Sequence, residues 1–143
     1  MTLAVSDLLK MSQQELDDLF GAHQPGPVPD GEVQGTAIIA PGTKLSDEIA
    51  KLVKHIAWEG KIFDAEKGVL RNKILPVKLK AIVATVYPGD SWLDGKPCIV
   101  IDYSETSLLA QKIRDEIRQI QPGLYLGKVF WGKKHVIDFA LET

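Results

Sequence analysis

Several things are scarce in this chain, and each scarcity removes a class of explanation. Cysteine occurs once, at Cys98. A single thiol cannot close an internal disulfide or share a zinc site with other cysteines. Histidine occurs three times, as His23, His55 and His135. No two of them stand at the spacing by which one helix face grips a metal, so neither a metal site nor a cofactor is expected. No stretch of about 18–20 residues is continuously apolar, so membrane insertion by a helix is not expected. A basic excess is missing too: 17 Lys and Arg stand against 19 Asp and Glu, for a net charge of -2. That balance gives no electrostatic footprint for nucleic acid. The first twenty residues lack a basic start, an apolar core and a small-residue cleavage site. No secretory signal is expected, and a reducing, cytoplasmic home follows by default. Neither a Gly-x-Ser-x-Gly elbow nor a phosphate-binding glycine loop occurs.

What is present reads as one globular domain. Its 143 residues are enough for a sizeable core. Ser12 and Glu15 stand at capping-box spacing ahead of Leu16, Leu19 and Phe20, and Gly21 can end that helix. The segment "HQPGPVPDG", residues 23–31, is too rich in proline and glycine for helix or central strand. Residues 1–30 therefore form a helical start and a loop, and residues 31–143 the main body. In that body the pattern predicts strands in "EVQGTAIIA", "KIFDA", "VLRNKIL", "VKLKAIVATVY", "PCIVIDY", "LYLGKVFW" and "HVIDFALE", and helices over 46–58 and 106–120. Most of the strands follow one another across short turns, which favours antiparallel pairing over a doubly wound parallel sheet. The expected class is α+β: a strongly curved, mostly antiparallel sheet or small β-barrel of about seven strands with flanking helices. Gly127, inside a strand pattern, suggests a bulge or sharp bend.

Three acids stand inside apolar strand patterns: Asp64, Asp102 and Asp138. Buried in a cup, any of them would be a candidate general acid or base. Strand alternation puts Cys98, Val100 and Asp102 on one face and Ile99, Ile101 and Tyr103 on the other. If the first face lines a cup, Asp102 sits near its rim. Strand-end hydrogen bonding is the plain alternative for Asp102, and a structural ion pair for Asp138. Aromatic residues gather near the expected strand ends. Trp58, Phe63, Tyr87, Trp92 and Tyr103 are therefore candidate ligand-binding residues, with Cys98 on the Asp102 face and Arg71 and Arg114 as orienting cations. Arg114 and Arg118 would share one face of the 106–120 helix, with Asp115 pairing to Arg118.

The short strands, the terminal hairpin and "SWLDGKPCIVIDY" together look similar to small lipocalin-like (calycin) barrels of bacterial origin. The resemblance is architectural, spans about residues 31–143, and transfers no individual residue. It implies an internal cup for a small apolar or amphipathic molecule. The first functional expectation is therefore a binding protein of that kind. A cofactor-free lyase, isomerase or hydrolase using a buried Asp, and a non-catalytic interaction module that assembles as a homo-oligomer, are the alternatives.

Overall fold

The computed structural model describes residues 2–40, 47, 61–72, 83–104 and 112–143. Two short helices, α1 (Val5–Leu8) and α2 (Gln13–Gly21), precede eight strands. These are β1 (Gly31–Ile38), β2 (Lys61–Asp64), β3 (Val69–Asn72), β4 (Val83–Asp90), β5 (Pro97–Asp102), β6 (Ile113–Gln121), β7 (Leu124–Trp131) and β8 (Lys134–Glu142). Each strand pairs antiparallel with the next, and β8 returns to β1 to close a barrel. Closure depends on stagger: β1 gives residues 31–33 to β2 and residues 34–38 to β8. No helix among the described residues is long and apolar enough to cross a membrane.

The expected small antiparallel barrel is present, with eight described strands rather than about seven. The extra strand is β6, and it replaces a predicted helix. Residues 106–120 place Ile113, Ile117 and Ile120 at spacings that suit a helix face. The structure instead follows the two-residue period. Ile113, Asp115 and Ile117 point inward, while Arg114, Glu116 and Arg118 point outward. The supposed Asp115–Arg118 pair is therefore split between opposite faces of a strand. Of the predicted helix over 46–58 only residue 47 is described, and it is helical; residues 106–111 of the other predicted helix and the start of the "VKLKAIVATVY" strand lie outside the described residues.

Two apolar layers hold the fold. Inside the barrel, Val33, Phe63, Ala84, Val86, Ile99, Ile101, Tyr103, Ile113, Ile117, Tyr125, Phe139 and Leu141 form one buried cluster. Outside it, α1 and α2 cover Ile38, Cys98, Val100, Ile120, Leu124, Leu126 and Ala140 with Leu8, Leu16 and Phe20. The capping box forms as its spacing predicts. Glu15 N–H donates to Ser12 Oγ, and Ser12 N–H to Glu15 Oε1, each at 3.1 Å. Leu16 and Phe20 are fully buried. Each contributes about 1.5–3 kcal/mol to docking of the helix.

The outer layer also buries charge. Arg118 lies under α2 and donates to both Asp94 oxygens, at 2.7 and 2.8 Å, and to the carbonyls of Phe20, Lys96 and Pro97. Its guanidinium sits 4.2 Å over the Phe20 ring. Lys128 bridges Asp17 of α2 and Asp138 of β8, at 2.5 and 2.8 Å. Full hydrogen bonding is the condition under which such burial is tolerable.

Gly127 does not mark a bulge. The register is continuous there, and the irregularities fall at Gln119/Gln121 and Val129/Phe130. Its lack of a side chain serves a close approach: a Cβ at this position would lie 2.2 Å from Cζ of Phe139. The Phe139 ring lies across the glycine and fills the barrel.

Candidate functional site

The two barrel ends differ. The lower end carries Gly31, Asp64, Val69, Asp90, Pro97, Gln121, Leu124 and Glu142. The Pro/Gly-rich loop seals it. Tyr125 Oη donates to Pro27 O at 2.5 Å, Gln119 N–H donates to Pro25 O at 3.1 Å, and Val28 packs on the interior cluster. Gly26 takes a left-handed φ of 71°, and a Cβ there would strike Gln119 at 2.6 Å, so the plug needs glycine at this contact. Burial pushes the Tyr125 phenol above its ordinary pKa. Phe63, Tyr125 and Leu141 are buried here, with exposures of 3%, 2% and 0%, and beside them Asp30, Gly31, Ile62, Phe63, Asp64, Lys67 and Val69 line an open cleft of about 460 Å³ on the β1–β3 side.

Toward the upper end the lining changes. Ala37, Val129 and Trp131 share the inward face and remain only half-buried. Register places Trp131 opposite Ile113, and Val129 opposite Asp115. Asp115 is 1% exposed and lies between Ile113 and Ile117 on the inner face of β6. A carboxylate is thus built into the wall one step below an accessible apolar rim. Tyr103, fully buried on the inner face just beyond β5, brings a second polar atom to the same end.

The residues expected from sequence scatter. Asp102 points outward, since Ile99, Ile101 and Tyr103 take the interior of β5. It accepts from Tyr87 Oη at 2.7 Å and from Ser104 N–H at 2.8 Å. Partial burial raises its pKa, but the Ser104 and Tyr87 hydrogen bonds and the Arg114 charge outweigh it, so the net shift is downward. Asp64 closes the β2–β3 turn by accepting from Lys67 N–H at 3.0 Å. Asp138 is fully buried on the outer face. It accepts from Lys128 at 2.8 Å and contacts His135 Nε2 at 2.6 Å. The three acids occupy three separate places, and no two share a cavity.

Phe63 and Tyr103 line the interior, whereas Tyr87, Trp92, Cys98 and Arg114 face outward. The cup face of β5 is accordingly the Tyr103 face, not the Cys98–Asp102 face. Cys98 is enclosed beneath the helices, and burial pushes its thiol up to about 12. Trp58 and the side chain of Arg71 lie outside the described residues. Sequence reasoning missed Asp115, Val129, Trp131 and Ala37 as lining residues. The alternation in "IRDEI" was the available signal for Asp115. Among the described residues, no three His, Cys, Asp or Glu side chains are grouped to hold a metal ion.

No protein-family model and no curated protein matches the chain. One similar solved structure is the crystal structure of a protein from Thermomonospora curvata, at 18% sequence identity and a TM-score of 0.66. The match covers 96% of this chain and 91% of that one, and it establishes likeness of fold alone.

Proposed function

We propose that the protein binds a small amphipathic molecule in the upper end of the barrel, with the apolar body against Ala37, Val129 and Trp131 and a hydrogen-bond donor directed at Asp115. The observation that carries this reading is the half-buried state of three inward-facing apolar residues near the upper end, Ala37, Val129 and Trp131, beside the buried carboxylate of Asp115. Accessible apolar lining with a few placed polar groups is the usual make-up of a small-molecule site. Acid–base catalysis by Asp64, Asp102 or Asp138 has no geometric support, because the three groups face different surroundings.

The test is titration with 1-aminoanthracene, an apolar amine whose fluorescence rises on transfer from water. Saturable one-to-one binding is expected, confirmed by native mass spectrometry. Trp131→Ala removes a large part of the apolar contact and should weaken binding at least about tenfold in a protein that still unfolds cooperatively in urea. Absence of saturable binding, or equal binding by Trp131→Ala, would refute the reading.

A further inference from the structure

A second cleft lies on the outer surface, where the turn after β4 folds back across β5 and β6. It measures about 370 Å³. Its most ordered element is Arg114. Glu116, fully buried behind it, accepts from Arg114 Nε at 3.3 Å and Nη2 at 3.2 Å. The same carboxylate accepts from Ser91 Oγ at 2.5 Å and Trp92 N–H at 2.7 Å. Arg114 Nη2 also donates to Asp90 O at 2.7 Å. The guanidinium lies 4.2 Å over the Trp92 ring. Glu116 thereby fixes the arginine and the tryptophan to each other. Arg114 keeps 15% of its side-chain surface exposed, and its Nη1 has no hydrogen bond among the described residues.

Lys112 and Lys133 complete the wall, and neither forms a salt bridge among the described residues. The acid in the lining is Asp102, already accepting from Ser104 and Tyr87. Among the described residues three cations face two carboxylates, Asp102 and the buried Glu116, a balance of one positive charge. The whole chain is negative by two. Trp92 is 47% exposed although it is pinned by Arg114 and by an edge contact to Phe130 at 5.4 Å. An aromatic ring held in place yet left open to solvent offers a stacking surface at little entropic cost.

We propose that this cleft is a binding site for a flat, ring-bearing small molecule with a phosphate or carboxylate group. The anion is taken by Arg114, Lys112 and Lys133, and the ring lies against Trp92. A guanidinium fixed from behind is suited to oxyanions because its remaining N–H groups need no further ordering. The cleft borders the upper rim of the barrel, where Ile113 and Gly132 also line it, but the groups that take the ligand face outward and do not depend on the reading proposed for the interior.

The test follows the indole N–H resonance of Trp92, assigned by its loss in Trp92→Phe, with the full-length protein. Adenosine monophosphate, adenosine and inorganic phosphate serve as probes. The monophosphate should shift the resonance saturably, and each half-molecule should bind at least about fivefold more weakly. The Lys112→Gln/Lys133→Gln variant should bind the monophosphate about tenfold more weakly, with 1-aminoanthracene binding and the urea midpoint unchanged. The proposal is overturned if the monophosphate gives no saturable shift up to about 10 mM, a limit set by the weakest affinities that count as specific. It is equally overturned if the double variant binds as wild type does, or if phosphate alone binds as tightly as the monophosphate.

Discussion

Gly127→Ala is the sharpest probe of how the barrel is filled. Gly127 faces inward between Ile117 of β6 and Phe139 of β8. An added Cβ would lie 2.2, 2.4 and 2.6 Å from three atoms at the far end of the Phe139 ring. Ordinary carbon contacts begin near ~3.5 Å, so the ring must retreat by about 1 Å. Phe139 is 3% exposed and belongs to the interior cluster with Ile117, Tyr125 and Leu141, so the retreat displaces packed neighbours. Overpacking of this kind costs about 1–3 kcal/mol. Loss of glycine's freedom in the unfolded chain returns about 0.4–1 kcal/mol, because Gly127 is not among the glycines at positive φ. The net is a destabilisation of about 1–2 kcal/mol, or a fall of roughly 3–8 °C in Tm for a chain of this size. Phe139→Leu removes the ring end and alone costs about 1–2 kcal/mol. If the clash is the cause, Gly127→Ala is harmless once the ring is gone. The double variant should then be more stable than the sum of the singles by about 1 kcal/mol, measured by urea unfolding at constant m-value. Additivity to within about 0.5 kcal/mol would refute the packing argument.

Cys98 should react negligibly with a thiol reagent in the native state at pH 8, since burial holds its pKa at about 12, and fully in urea; rapid native labelling would contradict its enclosure under the helices. Asp94 is held below its ordinary pKa of 3.8, first by the Arg118 hydrogen bonds and against a smaller opposing effect of burial. Its stabilising contribution is therefore complete above the unfolded-state pKa and is lost as pH falls through the lower folded-state value. Asp94→Asn should be less stable than wild type at pH 7, and the gap should close below about pH 4; a gap independent of pH would remove Asp94 as its source. Ser12→Ala deletes the cap of α2 and should cost about 1 kcal/mol in urea unfolding. If α2 detached locally instead, amide exchange of residues 13–21 would rise with no change in the global midpoint.

The legible parts of the fold were those whose local signal agreed with their surroundings. The Ser12 box and the terminal hairpin each carry their own chemistry, and each forms where it is written. The 106–120 stretch was misread because polar residues on a strand are normally taken to face water. Here Arg114, Glu116 and Arg118 face out from the barrel but not into solvent: the 91–96 turn and α2 lie over them. A strand covered on both sides loses the alternation of apolar and polar residues by which strands are recognised, and "IRDEIRQI" then matches a helix equally well.

The same inversion explains why Asp102 and Asp138 face outward. An acid in an apolar strand pattern suggests a side chain pointing into a cup, yet Asp138 and Asp102 sit on outer faces where other side chains hold them: Lys128 and His135 for one, Tyr87 for the other. The acid that does line the interior, Asp115, was hidden among charges on either side. Its direction is fixed by Ile113 and Ile117 at two residues' distance rather than by its immediate neighbours. In this barrel, phase relative to a known interior residue identifies the lining, and local polarity does not. By that criterion Val129 and Trp131, in phase with Tyr125 and Gly127, belong to the cup. Trp92, on the covering turn, belongs to the outer cleft. If both proposals hold, Trp131→Ala should weaken binding in the barrel and Trp92→Phe binding in the cleft, each more than the other.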